Sequence, residues 1–338
     1  MSMEARIIGL QGCGKSTLLA ALGEGRTEGT IATVRLGDDR VRRLAEIFNP
    51  RKTVFAEFQV REAVWPEATA RKGAMDRYLD QIAGAQVFLH VLRDFFNPFL
   101  GEPADPAKDL KELDEQFLLA DLVAVERALE RTRKAPLPAA HMRALERCRD
   151  SLEAETPLRL LEFDEAEESF LKSFAFLTRV LQVILVNSES GAEADMESVR
   201  AGAADRHSLA FPFAEALEVA RLPAEEQQEF AEAMGLPGPP AEVVARAAFD
   251  AMGLITFFTV GEDEVRAWPI RIGTRAREAA GTVHSDIERG FIRAEVVSYA
   301  DFMQFQSLKA CREAGVLRIE GKDYVVEDGE IVHFRFNV

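Results

Sequence analysis

Apolar positions along the chain follow two periods. Residues 6–8 (Arg-Ile-Ile) and 31–36 are short, β-branched runs, and residues 53–60 alternate apolar with polar positions; each predicts a strand. Residues 85–92 and 179–186 are nearly continuous apolar runs, the pattern of strands buried on both faces. Between them, residues 17–23 carry helix formers and a glycine stop. Residues 38–48 space Val41, Leu44 and Ile47 along one helical face before Asn49-Pro50, and residues 75–83 also suit a helix. Strands alternating with helices predict an α/β domain built on a mostly parallel sheet.

The pattern changes after a loop rich in Pro and Phe at 95–106. Leu110, Leu113, Phe117, Leu118, Leu122, Val125 and Leu129 recur every three or four residues, residues 134–139 (Lys-Ala-Pro-Leu-Pro-Ala) break the run, and Met142, Leu145, Cys148 and Leu152 resume it. This predicts an inserted antiparallel α-helical hairpin, serving either as a lid or spacer or as a partner-binding arm. Residues 209–215 read as the next strand and turn, followed by acidic helices to about Met252. From Leu254 onward, strands at 255–260, 264–272 and 292–297 flank a helix at 274–283. Residues 321–336 then close a small mixed β domain through a Glu-Asp-Gly turn. The expected organisation is a first domain of residues 1–105 and 175–252, a helical insertion at 106–174, and a C-terminal domain at 253–338.

Composition narrows the function. The formal net charge of −16 over 338 residues excludes a broad nucleic-acid-coating surface, though not a local basic patch. Arg266, Arg271, Arg275, Arg277, Arg289, Arg293 and Lys309 make the C-terminal end less acidic, as a solvated face or as an RNA surface. Three dispersed cysteines with no metal spacing suit a reducing, cytoplasmic setting. No apolar run approaches the roughly 20 residues of a membrane span, and the N-terminus lacks a signal peptide's basic and apolar regions.

The chemistry concentrates at Gly9-Leu-Gln-Gly-Cys-Gly-Lys-Ser-Thr17, a G-x-x-x-x-G-K-S phosphate-binding loop between a predicted strand and a predicted helix. Gly9, Gly12 and Gly14 let backbone N–H groups, with those of Cys13 and Thr17, close around phosphates at a helix N-terminus. Lys15 would reach the β and γ phosphates, and the Ser16 hydroxyl would take one Mg²⁺ position. Cys13 reads as a small residue that fits, or as an oxidisable thiol.

A switch-type NTPase needs further parts. After the first helix it needs a Thr for the metal, and only Thr27 and Thr30 are at hand, in a short connection. After the strand at 53–60 it needs Asp-x-x-Gly; here stands Glu62-Ala-Val-Trp65. Glu could replace Asp at longer reach, but Trp cannot replace a glycine whose backbone must approach the γ-phosphate. His90 suits a core or strand-edge position better than a catalytic base. Asn187 and Glu189 end a late strand, where a nucleotide base is read, but their order is not that of a guanine reader.

These features together resemble the Obg-like ATPases, called YchF in bacteria. Glu264-Val-Arg-Ala-Trp268, Gly290-Phe-Ile-Arg-Ala-Glu-Val296, Glu320-Gly-Lys-Asp-Tyr324 and His333-Phe-Arg-Phe-Asn-Val338 are close to the family's wording, as are His90-Val-Leu-Arg93 and Ala120-Asp-Leu122. The resemblance implies a P-loop NTPase with a C-terminal α+β ubiquitin-like (β-grasp, TGS) domain, Mg²⁺ as cofactor, and the ribosome or RNA as partner through the helical arm and TGS domain. It also implies adenine preference through Asn-x-x-Glu, which Asn187 and Glu189 match with one residue missing. The family's Asp-Ile-Ala-Gly has become Glu62–Trp65, its glycine-rich continuation survives as Lys72-Gly73, and its hydrolysis-linked histidine after Arg93 is absent. The expectation is ATP/ADP binding, or GTP/GDP, with weak or absent hydrolysis and no catalytic residue assignable. Either a slow ATPase or a non-hydrolysing binding module would fit.

Overall fold

The computed structural model describes residues 3–24, 27–66, 73–132, 135–191 and 194–337. Lys72, Lys134 and Val338, invoked above, and residues 25–26 of the short connection lie outside the described residues. The chain forms two compact units, one of residues 3–33 and 59–251, the other of Val34–Phe58 with the chain from Met252 onward.

The first unit is built on a six-stranded sheet. Its strands are β1 (Glu4–Ile8), β2 (Ile31–Arg35), β4 (Glu57–Glu62), β5 (Val87–Asp94), β6 (Leu181–Ser188) and β7 (His207–Phe211), in the order β2-β4-β1-β5-β6-β7. β1 pairs in parallel with β4 on one side and β5 on the other, and β5, β6 and β7 continue in parallel. The order reverses at β1, so a crevice opens beyond its C-terminal end. β5 and β6 are buried along almost their whole length, as their unbroken apolar runs require.

Helices α1 (Lys15–Leu22), α3 (Ala74–Ile82), α4 (Pro106–Thr132), α5 (Ala139–Glu153), α6 (Glu165–Leu171), α7 (Met196–Gly202), α8 (Phe213–Ala220), α9 (Ala224–Ala233) and α10 (Pro240–Ala251) complete this unit. The hairpin of α4 and α5 has two jobs. The first half of α4 packs Leu113 and Phe117 against Ile8, Ile82 and Phe88 of the sheet core. Its second half joins Val125 and Ala128 to Leu145, Cys148 and Leu152 of α5. The buried Asp121 carboxylate sits between these regions and accepts from Leu177 N–H (2.9 Å), Thr178 N–H (2.8 Å) and Thr178 Oγ–H (2.6 Å), fixing the chain's return to the sheet. No described helix is long and apolar enough to cross a membrane.

The second unit carries a mixed sheet of β3 (Lys52–Val54), β8 (Leu254–Thr259), β9 (Glu264–Arg271), β10 (Phe291–Ser298), β11 (Arg318–Glu320) and β12 (Glu330–Phe336), in the order β11-β10-β12-β8-β9-β3. Helix α11 (Ala276–Val283) lays Ala276, Ala279 and Ala280 across Phe257, Val296, Val332 and Phe334. A helix crossing a mixed sheet is the expected β-grasp arrangement.

Two expectations are corrected here. The alternating run at 53–60 is not one strand: it divides at Phe55-Ala56, with β3 pairing in parallel to β9 and β4 pairing to β1. Helix α2 (Asp39–Phe48) goes with β3. Arg40 bridges Asp38 and Asp328 (2.8 and 2.7 Å) over the Phe258 ring, and Phe48 stacks on Phe302 at 5.4 Å. Residues 34–58, assigned from sequence to the first domain, therefore pack with the C-terminal chain. Second, of the strand and turn expected at 209–215, the strand ends at Phe211, because Pro212 lacks an N–H for the ladder, and in place of the turn α8 begins, with Pro212 at its N-cap.

Candidate functional site

The crevice beyond β1 is a cavity of about 680 Å³, lined by Gln11, Gly12, Gly14, Lys15, Ser16 and Thr17 at one end and by Asn187, Ser188, Glu189, Ser190, Ala214 and Glu215 at the other. Glu62, Val64, Trp65, Phe95 and Phe96 form its remaining walls. The structure thus gathers most sequence-predicted site residues around one space.

The P-loop backbone is shaped by its glycines. Gly9 has φ +144°, and a Cβ there would stand 2.4 Å from the Val91 carbonyl oxygen. Gly14 has φ +104°, and a Cβ would stand 2.4 Å from Asn187 Nδ2. Neither position admits a side chain. Lys15 is buried and folds back, donating to the carbonyls of Gly9 (2.9 Å) and Leu10 (2.7 Å). The ammonium is therefore held inside the loop it would share with phosphates. Cys13 is 1 % exposed, and burial pushes its thiol up, which makes it a poor nucleophile and favours the small-residue role over the oxidisable one.

Ser16 Oγ–H donates to the Glu62 carboxylate at 2.7 Å, so glutamate spans the distance to the P-loop hydroxyl. Trp65 lines the cavity three residues later and meets Tyr78 edge-on at 5.0 Å between ring centroids. Thr27 and Thr30 are not among the lining residues.

Asn187 acts as a brace. Its Nδ2 donates to the Cys13 carbonyl (3.1 Å) and its Oδ1 accepts from Phe213 N–H (3.0 Å), tying the end of β6 and the start of α8 to the P-loop. Glu189 lies exposed at the cavity's edge. Arg93 is buried and donates to the carbonyls of Phe95, Glu102 and Pro103, so it shapes the loop after β5. Asn97 of that loop donates to the Gly12 carbonyl at 3.2 Å. His90 is fully buried beneath α4, outside the cavity lining. Phe95, Phe96 and Glu215 were missed from sequence; for Glu215 the available signal was Pro212 followed by an acid in what is the first turn of a helix.

Among the described residues Lys15 is the only cationic side chain on the lining, against the carboxylates of Glu62, Glu189 and Glu215. An anionic ligand meets this site best when it brings a cation. Among the described residues no cluster of three or more His, Cys, Asp or Glu could hold a metal unaided.

The chain is 34 % identical to a protein of Escherichia coli O157:H7 named ribosome-binding ATPase YchF, over 363 residues and the full length of both. The chain belongs to the YchF family. A YchF of the same name from Bacillus subtilis is 33 % identical over 366 residues, again over both full lengths. Residues 254–337 match the YchF-GTPase_C family, described as a protein of unknown function (DUF933). A solved YchF GTPase of Schizosaccharomyces pombe superposes with a TM-score of 0.87 at 25 % identity, covering 99 % of this chain and 98 % of that one. The YchF fold, a P-loop domain followed by a C-terminal domain, is thus shared from end to end.

Proposed function

We propose that this chain binds a purine nucleotide with Mg²⁺ at its P-loop, prefers ATP to GTP, and hydrolyses it weakly or not at all. The observation that carries the weak hydrolysis is Trp65. Phosphoryl transfer depends on positioned donors around the γ-phosphate, and at the point where a glycine N–H would serve, an indole lines the cavity. The residues fit a hard, oxygen-seeking cation: the Ser16 hydroxyl would coordinate it and the Glu62 carboxylate would accept from its waters. When bound, Mg²⁺ would offset the phosphate charge that the lining carboxylates oppose. Lys15, Gly12, Gly14 and Thr17 would hold the phosphates, with Asn187 and Glu189 toward the base.

The relatives' names include ribosome binding, and we extend that partnership to this chain, in the cytoplasm, through the α4–α5 hairpin and the C-terminal domain. Calorimetric titration of nucleotide-stripped protein with ADP, ATP, GDP and GTP, each with Mg²⁺, tests the proposal. Adenine nucleotides should bind, ATP and ADP with similar affinity, and turnover should be slow or undetectable. Lys15→Ala should abolish binding while the circular dichroism spectrum is kept; surviving affinity would refute the P-loop assignment.

A further inference from the structure

We propose that the Glu215 carboxylate selects the base, accepting a hydrogen bond from a six-amino purine and rejecting a six-oxo one; this rests on the nucleotide-binding function above. The P-loop fixes the phosphate end of the cavity. With strands about 4.8 Å apart, β6 and β7 end about 10 and 14 Å across the sheet from β1. Their ends are where a base would follow its phosphates.

Asn187 discriminates little there. Its Oδ1 accepts from Phe213 N–H and one Nδ2 hydrogen goes to Cys13, which leaves one N–H and one Oδ1 lone pair, able to meet a six-oxo or a six-amino group alike. That N–H suits N7, an acceptor on adenine and guanine alike. The edge bearing N7 also bears the six-substituent, which is a donor in adenine and an acceptor in guanine. The bond from Phe213 N–H anchors the start of α8 beside Asn187, and Glu215 follows two residues later in the helix's first turn.

Glu215 lines the cavity, and its Oε2 is buried with no hydrogen-bond partner among the described residues. A buried carboxylate oxygen is normally satisfied. An amino group supplied by the ligand would complete it, whereas a six-oxo group would set acceptor against acceptor. Glu189, being exposed, can exchange any ligand donor for water and discriminates little.

The test is calorimetric titration of the stripped, full-length protein with Mg²⁺ and ADP, IDP or GDP, for the parent, Glu215→Gln and Glu215→Ala. IDP isolates the six-position from guanine's two-amino group. The parent should bind ADP about tenfold or more tightly than IDP and GDP. Glu215→Gln can donate to a six-oxo group and should bring the ratio to within about threefold, and Glu215→Ala should also narrow it. Unchanged ADP-to-IDP ratios in both variants would overturn the role of Glu215 while nucleotide binding stood. Tighter GDP than ADP binding by the parent would overturn it too, since the carboxylate would then face guanine's N1–H and N2–H₂. Absence of any nucleotide binding would fail the underlying function, and this inference with it.

Discussion

Ser16 and Glu62 are joined by a 2.7 Å hydrogen bond between the first turn of α1 and the last residue of β4. The hydroxyl that would meet a metal is thus already oriented by the carboxylate that would accept from the metal's waters. Glu62→Ala should weaken the Mg²⁺-dependent part of nucleotide affinity about tenfold, the scale of one or two charge-assisted hydrogen bonds. Titrations with Mg²⁺ and with EDTA separate that part; equal losses in both would show that Glu62 acts only on the fold.

Trp65 should govern the distinction between di- and triphosphate. Trp65→Gly removes the edge contact with Tyr78 and should cost about 2–3 kcal/mol of stability, less than a fully buried tryptophan would. It should also raise the ATP-to-ADP affinity ratio above the parent's. A ratio that stays put would mean that the indole does not occupy the γ-phosphate's place.

The Asn187 brace should be costly to remove. Asn187→Ala leaves the Cys13 carbonyl and the Phe213 N–H without their partner, at about 1–3 kcal/mol each. Denaturant unfolding should show a loss of several kcal/mol, and nucleotide affinity should fall with it. Gly14→Ala should impair binding by the reverse route, driving a Cβ toward Asn187 Nδ2 at a backbone angle alanine rarely adopts.

Two buried groups give the fold opposing pH responses. Burial pushes Asp121 from 3.8 up to about 6, against the donors of Thr178 and Leu177. Its contribution is therefore full below pH 3.8 and is lost as pH rises through 6. Burial lowers His90 from 6.5 to about 4. Its contribution is full above pH 6.5 and is lost as pH falls through 4. Each shift corresponds to about 3 kcal/mol, and the two offset one another between pH 4 and 6. Relative to the parent, Asp121→Asn should lose stability on acidification from pH 6.5 to 4.5, and His90→Leu should gain it. Urea unfolding at three pH values checks both signs.

Much of this architecture is legible in the sequence because it is local. The P-loop needs only a strand, three glycines and Lys-Ser in consecutive order, and the α4–α5 hairpin announces itself by spacing and a proline break. What escapes depends on partners distant in sequence. The alternation from Thr53 to Val60 gives the two faces of a strand, but period says nothing about which sheet supplies the neighbour, so its division between β1 and β9 is invisible. The bond from Phe213 N–H to Asn187 spans 26 residues, and it places residues 213–215 at the site where the linear pattern showed only a strand and turn.

The pairing of β3 with β9 bears on how the polypeptide can be divided. Ending the chain before Met252 would remove every neighbour of Lys52–Val54 in its sheet, and would take Asp328 and Phe258 from Arg40 and Phe302 from Phe48. The truncated product would carry an unpaired strand edge and an uncovered amphipathic helix, both invitations to aggregate. Co-expressed fragments split at 252 would reassemble by one fragment adding β3 to the edge of the other's sheet, beside β9, so proteolytic nicking there should leave the two fragments associated.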